Sequence, residues 1–397
     1  MTCSSHSNTT DRAAALGVGP RGVAADPGSD PGRHRPHAAA GRSGNEEVDR
    51  ADGPSILKGV VQRRASHDSS RAQPLVAAAA GTTGEDAGDV DAGYDDFDAD
   101  SALGDDGQSS TMTVAEEIFN YQYENGRRYH AYRAGAYPMP NDEREQDRMD
   151  MQHHIYLLLF GGELYRAPLP QHVYRVLDIG CGTGIWAIDF ADMHAEASVV
   201  ATDLSVIQPQ WVPPNLQFEI DDAEAQWQYR SKFDYIHVRS MGGSIQDWPR
   251  LLRQAYDNLA PGGWVELMDF EAWATTDDGS LPESSAYHEF QTRLSDAAQA
   301  FGKVMNTAPK YKDFVVDAGF EGVVHESIKV PLSPWPQDPK SRKLGRLMNI
   351  QMMESIEPYS MALFTRVLRW DNARIQALLA GVRQDLRNMD YHIYTVV

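Results

Sequence analysis

Nine residues, Val176-Leu177-Asp178-Ile179-Gly180-Cys181-Gly182-Thr183-Gly184, restrict what this chain can fold into more than any other stretch. Residues 175–179 form an apolar run of the buried-strand type, and 186–193 read as a helix, so the glycines turn a strand into a helix. Glycine at 180, 182 and 184 lets the backbone turn sharply and lets a ligand approach main-chain atoms without meeting a Cβ. In an open α/β sheet such a turn lies at the carboxyl ends of the strands, where ligands bind.

The flanking sequence repeats the alternation. Residues 199–203 read as a second strand ending in Asp203, 216–220 as a third followed by Asp221-Asp222, and 233–238 as a fourth. A fifth, 264–268, follows the turn Pro261-Gly262-Gly263. Helical stretches between most of these runs predict a parallel sheet covered on both faces. Further strands are expected at 322–330 and 391–397, separated by a Met-rich helical insertion at 339–370 and by a helix capped by Asp371 that reaches about Asn388. Upstream, Asn141 is expected to cap a helix that runs to about Phe160 and ends at Gly161-Gly162.

Three strand ends carry acids. Asp203, nineteen residues after Gly184, is placed to accept hydrogen bonds from both hydroxyls of a ribose, and Asp222 to accept from an adenine amino group. Two nucleoside cofactors fit. A dinucleotide fold requires G-x-G-x-x-G with a pyrophosphate at the helix N-terminus, and Ile185 stands where its third glycine belongs. S-adenosylmethionine has no phosphate but carries an ammonium and a sulfonium, which suits Asp178 just before the glycines. The spacing D-x-G-x-G-x-G favours the latter, with a nicotinamide dehydrogenase as the alternative.

These residues resemble class I S-adenosylmethionine-dependent methyltransferases, and among them the fungal LaeA-like group linked to regulation of secondary metabolism. The resemblance runs through Glu124-Asn125-Gly126-Arg127-Arg128-Tyr129-His130, Pro140-Asn141-Asp142-Glu143, Thr202-Asp203-Leu204-Ser205 and Gln208-Pro209. It continues in Phe233-Asp234-Tyr235-Ile236-His237-Val238-Arg239, Leu259-Ala260-Pro261-Gly262-Gly263-Trp264 and Val330-Pro331-Leu332-Ser333-Pro334-Trp335-Pro336. It implies a Rossmann-like, seven-stranded, mostly parallel sheet with helices on both faces, whose last strand runs antiparallel between the fifth and sixth. Family members continue past that strand to a Gly-Arg-Lys-Pro ending, whereas this chain stops at Val397, so a shortened inner strand is expected.

The resemblance also implies roles. Asp178, Gly180, Gly182 and Gly184 would hold the methionine end of the cofactor, Asp203 and Leu204 the ribose, and Asp222 with Ala223 the adenine. Cys181 would sit in the same loop as a small space-filling residue and not as a nucleophile. Tyr129, from the cluster Tyr121, Tyr123, Tyr129, Tyr132 and Tyr137, is the expected lid contact. His237 and Arg239 end the fourth strand, where such enzymes meet substrate; Arg239 is expected at the substrate mouth. Should the acceptor need a base, His237 and Glu271 are the candidates, with a satisfied core histidine as the favoured reading of His237. The stripe Leu347, Ile350, Met352, Met353, Ile356 and Met361 either roofs a substrate pocket or packs as ordinary core. The expected reaction is methyl transfer to a small secondary metabolite or a protein; the alternative is a non-catalytic regulator that uses the fold to bind cofactor and protein partners.

Composition supplies the exclusions. The 397 residues hold 36 Lys and Arg against 57 Asp and Glu, a formal net charge of -21, which argues against direct phosphate-dominated nucleic-acid binding. The longest apolar run is far too short to span a bilayer, no secretory apolar core opens the chain, and a cytoplasmic or nuclear location is expected. Two cysteines, Cys3 and Cys181, rule out a disulfide framework or Cys-rich zinc site, and no metal is expected. Residues 1–110, rich in Ala, Gly, Ser, Asp and Pro, read as a disordered acidic low-complexity tail. Their ten acidic residues between Glu85 and Asp106 suggest a solvated spacer, and Arg63-Arg64-Ala65-Ser66 a chance basic patch. Residues 111–397 then form one domain: a helical extension over 111–170, a cofactor-binding core over 171–270, and a substrate-side region with the helical insertion over 271–397.

Overall fold

The computed structural model describes residues 119–397; the expected tail, with its acidic run and basic patch, lies outside the described residues. Five runs form one parallel sheet: β3 (Arg175–Ile179), β4 (Ser198–Asp203), β5 (Leu216–Ile220), β6 (Phe233–Arg239) and β7 (Leu259–Met268), in the order β5-β4-β3-β6-β7. Because the chain crosses back over the sheet between successive strands, both faces are covered and successive side chains along each strand must be apolar. Val176 and Leu177 on β3 are accordingly fully buried on opposite faces. On one face Val176, Val199, Ala201 and Tyr235 pack with Trp186 and Phe190 of α2 (Ile185–Met193). On the other, Leu177, Ile236 and Val238 pack with Trp248 and Leu251 of α3 (Trp248–Asn258). Each such side chain contributes about 1.5–3 kcal/mol by leaving water.

The strand order reverses between β3 and β6, so their carboxyl ends open a crevice. α1 (Glu143–Leu159) lies over it. Its cap is Asp142, not the expected Asn141: Asp142 has extended backbone and accepts the Glu145 N–H at 3.1 Å. Asn141 instead donates to the Ser205 hydroxyl at 3.2 Å, tying the helix entry to the loop after β4. The helical roof is completed by α4 (Ala286–Phe301), α6 (Pro339–Arg366) and α7 (Asn372–Arg387), the last capped by Asp371 as expected. Phe290, Leu294, Met348, Ile356, Phe364 and Leu379 form their shared core. A short helix, α5 (Tyr311–Asp317), packs beneath β7 and α3.

Three features differ from expectation. The segment before α1 opens with a hairpin, β1 (Gln122–Glu124) and β2 (Arg127–Tyr129), turned by Asn125 and Gly126, both at positive φ. Asn-Gly is the residue pair that such a two-residue turn favours. The sixth and seventh strands shrink to β8 (Lys329–Pro331) and β9 (Tyr394–Val396), which pair with each other antiparallel and apart from the main sheet. β7 ends at Met268, and β9 meets the stretch beyond it through Glu271 N–H to the Val396 carbonyl and a Thr275–Tyr394 bridge. The order of the expected seven-stranded sheet persists, while its continuous ladder does not. Finally β7 begins earlier than expected and carries Pro261-Gly262-Gly263 as a register shift against β6.

Candidate functional site

A cavity of about 280 Å³ occupies the crevice, walled by Gly180, Cys181, Gly182 and Thr183 of the glycine turn, the ends of β4, β5, β6 and β7, the face of α1 and the roof helices. Gly180 and Gly184 both adopt positive φ, and a Cβ at Gly180 would collide with the Met241 thioether while one at Gly184 would enter the Phe218 ring. Only glycine satisfies both demands. The turn is held from three sides. Thr183 donates to Asp150 of α1 at 2.7 Å, the Gln208 amide donates to the Gly182 and Ser205 carbonyls at 2.7 and 2.9 Å, and the Asp203 carboxylate accepts the Gly182 N–H at 2.9 Å. Asp203 also accepts the Ser205 N–H at 2.8 Å. Burial pushes its carboxyl up to about 6 against these bonds, leaving it mostly ionised at neutral pH.

Most of the residues singled out by sequence meet here: Asp178, Gly180, Cys181, Gly182, Asp203, Leu204, Asp222, Ala223, His237, Arg239 and Glu271 all wall the cavity. Asp222 spends one oxygen on the Glu224 N–H at 2.9 Å and lies 3.5 Å from Arg133. The Cys181 thiol is pushed well up by burial and by Asp203 and Asp178, the opposite of what a nucleophile needs.

Gly184 and Tyr129 depart from the sequence reading: Gly184, whose Cβ direction is closed by the Phe218 ring, is not among the residues that wall the cavity. Tyr129 is buried under the Arg366 guanidinium, 5.1 Å from its ring centre, and is not a cavity residue; Tyr137 of the same cluster is. His237 pairs across the strands with Asp178, its Nδ1–H donating to the carboxylate at 2.8 Å. Its ring stacks flat on Trp186 at 3.6 Å, and its Nε2 is sealed and unpartnered. A histidine so held positions Asp178; its free nitrogen is closed to an acceptor's proton. Glu271, the other candidate base, is fixed by its backbone to β9, and burial raises its carboxyl.

Sequence reasoning missed Asp269, which follows β7 as Asp203 ends β4 and obeys the same signal of an acid at a strand's carboxyl end. It accepts the Gly242 N–H at 2.6 Å and the Tyr311 hydroxyl at 2.9 Å, and burial pushes it up to about 6. It missed Arg148 too, buried on α1 and paired with Glu145 at 2.7 Å. Of the Met-rich stripe, Met352 walls the cavity together with Met348, Ile356 and Met361 are core, and Ile350 is exposed. Among the described residues no cluster of three His, Cys, Asp or Glu side chains is arranged to hold a metal, and no helix is long and apolar enough to cross a membrane.

The cavity thus joins a glycine turn and strand-end acids, suited to a cationic nucleoside, to an aromatic and methionine-rich half under the roof. Comparison with known proteins points the same way. A family profile described as a methyltransferase domain matches residues 144–325. The chain is 42% identical over 298 residues to the methyltransferase pytC of Aspergillus terreus, covering 75% of this chain and 91% of that protein. It is 38% identical over 280 residues to the protein-methionine methyltransferase laeA of Emericella nidulans, covering 70% and 75% of the two chains. It is equally 38% identical over 296 residues to the secondary metabolism regulator laeA of Aspergillus flavus, covering 73% and 79%. With the site geometry and these full-domain similarities together, the chain belongs to the fungal LaeA-like class I S-adenosylmethionine-dependent methyltransferases.

Proposed function

We propose that the chain methylates a pocket-sized nucleophile, carried by a secondary metabolite or a protein side chain, in the half of the cavity walled by Tyr156, Tyr287, Met305, Met348, Met352 and Tyr359. The observation that carries this is a cavity walled both by those side chains and by Gly180, Cys181, Gly182 and Thr183 of the glycine turn. The cofactor fits the residues present: Gly180 and Gly182 bring the turn's main chain to the cavity wall, and the acids around it match a ligand with positive charge and no phosphate. In this reading Asp203 and Leu204 take the ribose, Asp222 and Ala223 the adenine, and Asp178 with Gly180 and Gly182 the methionine end.

When bound, S-adenosylmethionine supplies a methyl group already activated by a sulfonium. The chain's own contribution is therefore alignment and dryness. Two backbone N–H groups pre-orient the Asp203 carboxylate, and His237 holds Asp178 in place from beneath. Aromatic and thioether walls exclude water from the acceptor half. If the acceptor arrives protonated, Asp269 and Glu271 are the carboxylates at the cavity wall that can receive the proton.

The experiment is transfer of a radiolabelled methyl group into an extract of the producing cells by the purified full chain. Label in a protein or in a small molecule assigns the acceptor class. Cofactor binding without any label would replace this proposal with a regulatory, non-catalytic role, the reading that the regulator relatives motivate.

A further inference from the structure

Every buried or half-buried arginine near the cavity is matched by a carboxylate, with one exception. Arg127 pairs with Asp142 at 2.6 Å, Arg148 with Glu145 at 2.7 Å, and Arg366 with Glu124. Arg239 has no carboxylate at ion-pair distance among the described residues. Its one protein hydrogen bond runs from Nη2 to His153 Nδ1 at 3.0 Å, and its guanidinium stands 4.9 Å from the Tyr156 ring centre. Since Arg only donates, His153 Nδ1 must accept, which leaves its Nε2–H to donate to Asp189 at 3.1 Å. Burial keeps the His153 imidazole neutral, as that arrangement requires. The chain Arg239–His153–Asp189 therefore fixes one edge of the guanidinium while its other donors are left to the cavity.

The position is specific. β3 and β6 are in register at Ile179 and Val238, so Arg239 stands beside Gly180, two residues beyond the Asp178–His237 pair. Tyr156, which stacks on it, is in turn fixed through its hydroxyl to Ser240 at 3.1 Å. A cation in a cavity wall without a counter-ion bears a desolvation cost, and burial indeed disfavours its charged form. A planar fork with free donors matches a carboxylate better than any other common anion of this size.

We propose that Arg239 is a carboxylate receptor, which binds either the α-carboxylate of the cofactor or a carboxylate on the methyl acceptor. The proposal rests on the methyltransferase reading above and deepens it by assigning the charge of a bound group. Asp178 and Arg239, on adjacent strands and two residues apart in register, offer one anion and one cation to a zwitterionic amino-acid end. Arg239 equally reaches the aromatic half, where a carboxylated acceptor would lie.

Calorimetry on the full chain separates these sources. S-adenosylhomocysteine carries the carboxylate and 5′-methylthioadenosine lacks the amino-acid end, while benzoate titrated into protein saturated with 5′-methylthioadenosine probes a carboxylate independent of the cofactor. Arg239→Gln is expected to weaken either S-adenosylhomocysteine or benzoate by about ten- to a hundredfold, the loss of charge-assisted bonds. It should leave 5′-methylthioadenosine unchanged, which also reports an intact fold, and Arg239→Lys should restore part of the loss. Loss on S-adenosylhomocysteine assigns the cofactor's carboxylate; loss on benzoate alone assigns the acceptor's. Equal affinities of wild type and Arg239→Gln for both carboxylates overturn the proposal. Failure of wild type to bind 5′-methylthioadenosine strikes instead at the cofactor reading, and benzoate is then titrated into the nucleoside-free chain with the same two outcomes.

Discussion

Asp203 offers the most direct test of the cofactor assignment, because the same carboxylate orders the turn and, in the proposed reading, the ribose. Its oxygens already accept the Gly182 and Ser205 N–H groups, and a carboxylate retains further lone pairs for two hydroxyls. A hydrogen bond to a charged group is worth about 1.5–3 kcal/mol, so removing both ribose bonds costs about 3 kcal/mol or more, a loss of at least about a hundredfold in Kd. Asp203→Ala should show this by calorimetry with S-adenosylhomocysteine. A 2′-deoxy analogue closes a double-mutant cycle: it should bind wild type more weakly than the parent ligand and bind Asp203→Ala equally.

The pH dependence supplies an independent sign. Only the ionised carboxylate accepts both hydroxyls, and its pKa is pushed up to about 6 by burial. Lowering the pH from 8 to 5 protonates most of it and should weaken binding by about tenfold, as the fraction ionised falls. Asp203→Asn should bind weakly at every pH and show a flat profile over that window. Equal affinities of wild type and Asp203→Ala, with melting curves that confirm folding, would refute the ribose role. A wild-type profile no steeper than that of Asp203→Asn would separately refute the titration argument.

Further outcomes follow from the packing and the buried charges. Gly184→Ala places a methyl inside the Phe218 ring at positive φ and should lower stability by about 2–4 kcal/mol in urea unfolding, whereas Gly180→Ala meets the movable Met241 thioether and should cost less. His237→Ala leaves Asp178 buried without its partner and opens a void under Trp186; a loss of about 3–5 kcal/mol is expected, and normal stability with abolished turnover would point instead to a catalytic base. Asp269 has a folded pKa raised to about 6 from 3.8, so its contribution to stability is fully present below about pH 4 and is lost as pH rises through 6. The stability difference between Asp269→Asn and wild type should accordingly move by roughly 3 kcal/mol in favour of the variant between pH 4 and 8, and a pH-independent difference measured by denaturant titration would contradict this.

What sequence could and could not foretell follows from the range of the interactions involved. The β3 turn, the strand-end acids and the parallel sheet were legible because each is set by residues within a few positions: apolar runs, glycines at fixed spacing, an acid at a strand's end. The same locality explains the errors that were avoidable. Asn125-Gly126 is itself a hairpin signal among the tyrosines, and Asp269 obeys the same strand-end rule as Asp203. Asn141 and Asp142 are both good caps, and only the backbone angle at Asp142 decides between them.

The acceptor half was illegible for a different reason. Arg148 reaches Tyr359 at 3.5 Å across more than two hundred residues, and Arg239 meets His153 from the opposite end of the cavity wall. The end of the fourth strand marks Arg239 for the site, but no local pattern marks its partner His153 or the pairing of Arg148 with Tyr359. The difference between Arg148 and Arg239 lies in their partners: both are cations in the same cavity wall, but Glu145, three residues along the same helix, pairs with the first, and among the described residues no carboxylate stands at ion-pair distance from the second. Asp178 and Asp189 act on Arg239 from a distance, yet among the described residues no carboxylate reaches ion-pair distance, so in the proposed reading the guanidinium is a feature of the site that a ligand completes.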